Sequence, residues 1–291
     1  MLSLVLPNGS LERATLEIFD AADLTVRRAS DRNYHASIDD PRIDCVRFLR
    51  PQEIASYVEH GMFDVGITGL DWVTETSSQV VSLGQLCYSK QTSDPVRVVL
   101  AVPQDAPWES VDDLPEGVRI STEFPSLTYQ FLDEHGVKAE VVPSYGATEA
   151  KVPDIVDAIV DLTETGSSLR ENGLRILTTL LTSYTELVAN PEAYEDARKR
   201  KAMEEIAVLL RSASRARDKV LLKLNVAETA MDAVNDAMPE GAAVTALPWA
   251  TEGLYAVEAV VPRKRVNMLI SELQAAGARN VLEVQLAKIV D

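Results

Sequence analysis

The segment Asp161-Leu162-Thr163-Glu164-Thr165-Gly166-Ser167-Ser168-Leu169 holds the chain's most concentrated chemistry. An apolar run delivers two acids, and a small hydroxyl- and glycine-rich turn then opens a helix. Such a turn presents backbone N–H groups and side-chain hydroxyls to a phosphate, and the positive end of the following helix adds to the attraction. Acids just ahead of it can accept hydrogen bonds from ribose hydroxyls. An acid pair followed by Thr-Gly-Ser-Ser is therefore the arrangement expected for a ribose 5-phosphate, with an ordinary capped turn as the competing reading. No Gly-Lys-Ser/Thr follows, so this is not a Walker A loop.

Other chemistries are thinly supplied. Cys45 and Cys87 are the two cysteines, too few for a disulfide scaffold or a multi-cysteine metal site. One bridge is open to them, though free thiols are the favoured state. His35, His60 and His135 have no metal-ligand spacing. The 28 Lys+Arg against 45 Asp+Glu leave a formal charge of −17, which argues against a nucleic-acid or anionic-membrane surface. The basic run Arg198-Lys199-Arg200-Lys201 reads as a solvated helix face. No stretch approaches the ~18 apolar residues of a membrane span. The start, Met1-Leu2-Ser3-Leu4-Val5-Leu6, has no basic leader and reads as an opening strand, so a cytoplasmic protein is expected.

The elements that must position these residues follow an α/β rhythm. Strands are expected over 2–6, 45–49 and 63–69, with helices over 11–22 and 51–59, the second opened by Pro51. The middle repeats the style, with strands over 97–102, 118–122 and 140–142, a helix opened by Pro125, and the acid-bearing run 155–162. Two strands over 176–181 and 185–189 precede one helix over 191–211. Strands alternating with helices imply parallel sheets. After a polar boundary at 211–218, the pattern strand 219–226, helix 227–237, strand 243–247, strand 255–261, helix 266–276, strand 281–289 is a ferredoxin-like βαββαβ unit.

Five ordered motifs carry a resemblance. Residues 146–166, from Gly146-Ala147-Thr148-Glu149 to Thr165-Gly166, resemble the phosphoribosyl-diphosphate site of the ATP phosphoribosyltransferase family, which opens histidine biosynthesis. Leu6-Pro7-Asn8-Gly9-Ser10-Leu11, Arg47-Phe48-Leu49-Arg50-Pro51, Asp64-Val65-Gly66-Ile67-Thr68-Gly69-Leu70-Asp71 and Arg119-Ile120-Ser121-Thr122-Glu123-Phe124-Pro125 match in the family's order, and Val260-Val261-Pro262 agrees. The likeness spans essentially the whole chain and points to the long form, with its appended regulatory domain.

The resemblance implies a two-lobed α/β catalytic part like a periplasmic binding protein over residues 1–212, with lobe one at about 1–90 and 170–212, lobe two at about 91–169, and a ferredoxin-like regulatory domain over 213–291. It implies transfer of the phosphoribosyl group from phosphoribosyl diphosphate to N1 of the ATP adenine, Mg2+ carried by substrate phosphates, feedback inhibition by histidine, and a homo-oligomer, a hexamer built from dimers. By the same matching, Thr165, Gly166, Ser167 and Ser168 cradle the 5-phosphate, Asp161 and Glu164 face the ribose, and Glu149 joins them. Arg50 and Arg32 meet nucleotide or diphosphate as the catalytic arginines, and Asn8, Gly9, Ser10, Gly69 and Asp71 line the ATP side. The chain departs from the family where Asn8 and Ser10 replace basic residues, Thr128 and Tyr129 stand where Lys or Arg is frequent, and Ser168 replaces Thr. A two-lobed binding or sensor protein and a catalytically weakened relative are the rival readings. Segments near Leu222, Leu247 and Ala276 are candidates for the histidine pocket.

Overall fold

The computed structural model describes residues 1–30, 32–89, 94–248 and 253–290. The chain divides into two compact units, Met1–Arg211 and Ser212–Asp291. In the first, β1 (Leu2–Pro7) is almost wholly buried and runs through a one-turn 3-10 helix into α1 (Glu12–Ala21). There follow β2 (Val26–Arg27), β3 (His35–Ile38), β4 (Ile43–Leu49), α2 (Pro51–Glu59), β5 (Val65–Gly69), α3 (Leu70–Glu75) and β6 (Val81–Leu86). Next come β7 (Val96–Pro103), β8 (Val118–Thr122), α4 (Pro125–Glu134), β9 (Ala139–Pro143), β10 (Ala158–Thr163), α5 (Ser167–Glu171), β11 (Leu174–Ser183), β12 (Thr185–Ala189), α6 (Pro191–Glu195) and α7 (Ala197–Ala216). Pro51, Pro125 and Pro191 each open a helix. A proline there loses no bond, because the first N–H groups of a helix have no internal acceptor.

Two sheets result, ordered β2-β3-β4-β1-β5-β12-β6 and β11-β7-β10-β8-β9. Each takes in one strand fed from the other. In the first sheet, β12 runs antiparallel between β5 and β6. In the second, β7 runs antiparallel between β10 and β11. The chain therefore crosses between lobes twice, from β6 to β7 and from β11 to β12, giving the two-lobed architecture of a periplasmic binding protein. Val98, Leu100, Ile120, Phe124 and Val160 form the second lobe's core, and Val5, Ile54, Val58 and Val188 pack the first.

Three expectations differ from what the structure shows. Residues 170–212 are expected together in lobe one, yet β11 pairs with β7 of lobe two from Leu174↔Pro103 to Ser183↔Val96. The lobe boundary expected at 90/91 lies outside the described residues. The single helix expected over 191–211 breaks at Asp196, whose Oδ1 accepts the N–H groups of Arg198 and Lys199 at 2.8 and 3.1 Å and so starts a new helix. That second helix runs to Ala216, so most of the expected polar boundary at 211–218 is helical.

The second unit holds β13 (Lys219–Ala227), α8 (Met231–Ala237), β14 (Ala243–Pro248), β15 (Leu254–Pro262), α9 (Val266–Ala275) and β16 (Arg279–Gln285). The sheet order β14-β15-β13-β16, all antiparallel, is the ferredoxin-like arrangement. Alternate residues Val220, Leu222, Leu224 and Val226 of β13 pack with Val234, Leu269 and Leu273 of the helices. A period of two on the strand and 3.6 on the helices gives each one apolar face, and the two faces close on each other. Among the described residues, no helix is long and apolar enough to cross a membrane.

Candidate active site

A cavity of about 440 Å3 lies between the two lobes of the first unit. It sits where the C-terminal ends of the parallel strands converge, the usual ligand position in open α/β sheets. Asn8, Ser10, Arg50, Gly69 and Asp71 reach it from lobe one, and Glu123, Glu164, Thr165, Ser167 and Ser168 from lobe two. The sequence-expected residues Asp161, Glu149, Gly166 and Gly9 are not among the lining residues. Arg32 is exposed and is not among the lining residues.

In lobe one, Arg50 ends β4 in extended conformation and precedes Pro51. Its guanidinium lies over the first turn: a Cβ added to Gly9 would stand 3.4 Å from Arg50 Nη1. Arg50 is exposed, and no carboxylate among the described residues pairs with it. Asp71 is the opposite case, 3% exposed in the first turn of α3. Ser183 Oγ donates to its Oδ1 at 2.5 Å, and the Asp71 N–H donates to Ser183 Oγ at 3.0 Å. Burial pushes the Asp71 carboxyl above the usual carboxylate range, opposed by Ser183 and by backbone N–H groups of Asp71 and Trp72. The carboxylate folds back so far that a Cβ on Gly69 would meet Asp71 Oδ1 at 1.9 Å. Gly69 has an ordinary backbone conformation, so it is glycine for room rather than for freedom. Asp71 is thus both a buried first-turn acid of α3 and a cleft residue.

In lobe two, β10 delivers the acid-bearing run into the hydroxyl-rich turn. Gly166 has φ +72°, which favours glycine, and it caps α5. A side chain there would also press on Arg170 Nη1 at 3.1 Å and Ile176 Cδ1 at 3.4 Å. The Gly166 N–H is taken by Thr163 Oγ1 at 2.8 Å, so the turn is preformed. Thr165 Oγ1 and Ser167 Oγ lie 2.9 Å apart, both on exposed residues. Ser168 Oγ donates to Glu149 Oε1 at 2.6 Å, which ties the turn to the 144–151 segment. Asp161 is half-buried, and its Oδ1 accepts the Leu162 N–H at 2.7 Å. Burial, then the charges of Glu149 and Glu123, raise its pKa to about 6, against the Leu162 N–H and the Lys151 ammonium.

The crossings supply residues the sequence reading missed. Tyr88, Ser183, Tyr184 and Thr185 line the cleft. Thr185 Oγ1 donates to the Tyr88 carbonyl at 2.7 Å, joining the two crossings. In the structure only Tyr184 separates β11 from β12, one residue is too short for a hairpin, and the two strands enter different sheets. The lobes also touch directly, with Trp72 and Phe124 ring centroids 4.6 Å apart. Glu75 of α3 accepts the Ser126 and Leu127 N–H groups of α4 at 3.0 and 2.9 Å, so a lobe-one acid caps a lobe-two helix.

The matching family model described as ATP phosphoribosyltransferase covers residues 50–212, and that for the HisG C-terminal domain covers 216–288. The chain belongs to the ATP phosphoribosyltransferase family. It is 44% identical to the ATP phosphoribosyltransferase of Chlorobium phaeovibrioides over 100% of this chain and 98% of that one. Its identity to the Pelotomaculum thermopropionicum enzyme is also 44%, covering 99% of each. A solved ATP phosphoribosyl transferase (HisG:HisZ) complex from Thermotoga maritima superposes with TM-score 0.59 at 28% identity, covering 71% of this chain and 98% of that chain. The match to both models along one chain is that of the long-form ATP phosphoribosyltransferase, a transferase of the glycosyl type.

In the second unit, of the residues considered for a histidine pocket, Leu222 is fully buried in the core and Ala276 packs against the same cluster, whereas Leu247 is 55% exposed on β14.

Proposed function

We propose that the first unit transfers the 5-phosphoribosyl group from phosphoribosyl diphosphate to N1 of the ATP adenine, as the first step of histidine biosynthesis. The observation that carries this is the preformed Thr163–Ser168 turn facing Arg50 across one cleft, with no carboxylate among the described residues paired to that arginine. Thr165, Ser167 and the leading N–H groups of α5 suit the 5-phosphate. Glu164, with Asp161 and Glu149, suits the ribose hydroxyls. Asn8, Ser10, Gly69 and Asp71 form the opposite wall for the adenine nucleotide.

In the reaction the adenine N1 lone pair forms the bond to ribose C1, and the C1–O bond breaks with its electrons leaving on diphosphate. Charge develops on the sugar and on the leaving oxygen, so the chain acts by alignment and charge stabilisation. Arg50, exposed and with no carboxylate partner among the described residues, meets the leaving diphosphate in this reading. Among the described lining residues Arg50 stands against Asp71, Asp94, Glu123 and Glu164. That balance suits substrates whose phosphates arrive complexed with Mg2+. Mg2+ prefers substrate phosphates and water to an all-protein cage.

The second unit binds histidine and lowers turnover in this reading. Its support is the match to the C-terminal family model and a separate core with no catalytic cluster. A hexamer of dimers is the assembly proposed, consistent with an edge strand, β14, whose six residues are all exposed. The deciding test is absorbance detection of phosphoribosyl-ATP from ATP, phosphoribosyl diphosphate and Mg2+, with and without millimolar histidine. Product that is suppressed by histidine supports both parts. No product refutes the transferase reading, and product indifferent to histidine refutes the regulatory one.

A further inference from the structure

A partly buried cation in lobe two has no role in the account above. Lys151 ends the short 3-10 helix Thr148–Lys151 and reaches back across the fold. Its Nζ donates to Ser144 Oγ at 2.6 Å and to Ser121 Oγ at 3.2 Å. Ser144 Oγ shares a 2.8 Å bond with Thr148 Oγ1. These three hydroxyl residues are 6%, 0% and 3% exposed, in the order Ser144, Ser121, Thr148. No carboxylate among the described residues forms an ion pair with Lys151. A half-buried ammonium held only by neutral hydroxyls is a costly choice for packing alone, since apolar residues would fill the same space.

What the lysine joins is informative. Ser121 is on β8, whose neighbour β10 leads to the Thr163–Ser168 turn. Ser144 and Thr148 belong to the segment that carries Glu149, and Glu149 Oε1 accepts the Ser168 hydroxyl at 2.6 Å. The path from strand end to lysine, to turn, to Glu149, to Ser168 is continuous. Resting on the phosphoribosyl reading of that turn, we propose that Lys151 is a positioning residue. Its ammonium fastens the 144–151 segment to β8 and so holds Glu149 against Ser168.

A second consequence concerns charge. Asp161 is faced by Glu123, Glu149 and Lys151, the first two raising its pKa and the lysine lowering it. Removing the lysine takes away its one opposing charge there. The acid limb of activity then moves to higher pH, because Asp161 must lose its proton to accept ribose hydroxyls.

The test uses the full chain with Lys151→Met and Lys151→Arg. Each variant is assayed with either substrate varied, over pH 5.5 to 9, alongside calorimetric titration with phosphoribosyl diphosphate and Mg2+ and thermal unfolding. Lys151→Met is expected to weaken phosphoribosyl diphosphate about tenfold or more by KM and by titration. Its KM for ATP and its Tm should stay near those of the unaltered chain, its acid limb should move up, and Lys151→Arg should restore the limb. Unchanged affinity for phosphoribosyl diphosphate, or equal weakening of both substrates, overturns the proposal. Should Lys151→Met not fold, the pair Ser121→Ala and Ser144→Ala removes the acceptors and keeps the lysine; unaltered affinity there also overturns it. A chain that binds phosphoribosyl diphosphate but forms no product defeats the proposed reaction, and the titration still decides the role of Lys151.

Discussion

The two walls of the cleft treat their acids differently. On lobe one, burial raises the Asp71 carboxyl, and Ser183 with backbone N–H groups at the start of α3 opposes that rise. On lobe two, Asp161 is pushed up to about 6 by burial and by two like charges, Glu149 and Glu123. Both carboxyls are thus raised by burial, and the walls differ in what else acts on them. On the first wall a hydroxyl and backbone N–H groups of the fold oppose the burial. On the second, a backbone N–H and the Lys151 ammonium stand against two like charges, which hydrogen-bond donors or cations on a ligand would relieve further. The glycines repeat the contrast: Gly69 leaves room for a folded-back carboxylate, whereas Gly166 supplies a left-handed turn.

The largest expected effect breaks the second wall. Gly166→Val puts a β-branched side chain at φ +72° against Arg170 and Ile176, so the turn must reshape. Turnover should fall on the order of a hundredfold to a thousandfold, with the far-ultraviolet circular dichroism retained. Native-like turnover in that folded variant refutes the loop assignment.

Arg50→Ala tests the first wall. The guanidinium has no carboxylate partner among the described residues, so its loss should cost little stability but slow turnover about a hundredfold. A drop in Tm with kcat per folded molecule unchanged would make Arg50 a structural residue instead.

Asp161→Asn sharpens the comparison through pH. The folded value of about 6 lies above the ordinary 3.8 of an aspartate, so folding favours the protonated form. Stability contributed by that proton is present below pH 4 and is lost as pH rises through 6. The neutral variant should thus be more stable than the parent above pH 6, by about 1–2 kcal/mol after allowance for partial exposure, and equal to it below pH 4. Thermal unfolding across that range checks the sign, and a difference that is the same at every pH removes the argument from burial and like charge. The same variant should bind phosphoribosyl diphosphate more weakly.

Glu75→Ala gives the smallest change. It removes an acceptor from the N-terminus of α4, worth about 1 kcal/mol, and the loss should appear as a Tm lower by a few degrees. Because Glu75 spans the lobes, KM for both substrates should rise together. An unchanged Tm would show that water replaces the carboxylate without cost.

Much of this was legible in the residues themselves. Pro51 and Pro125 mark their helix starts, and the period-two burial of β13 and the 3.6 period of α9 announce the ferredoxin-like unit. The hydroxyl turn at 163–168 declares itself because phosphate contact needs small residues and a glycine in one short stretch. Local signals of that kind depend on neighbours a few positions away, so they survive in one dimension. The short pair β2 and β3 is not legible in the sequence, since two and four residues carry too little pattern to stand out. Asp196 as a helix cap was visible but was overridden by the charge rhythm around it.

By itself, then, the order of residues determined the elements, the turn that suits a phosphate and the family. Tertiary structure alone decided which sheet received β11, because pairing is set by distant partners such as Val99 and Leu100 rather than by anything inside the strand. Which groups act on each acid was likewise settled only there. Asp71 meets Ser183 across 112 positions, and Asp161 meets Glu123 and Glu149 only after β8 and β10 lie side by side. Charge acts through space over several ångströms, and only the folded chain sets those distances.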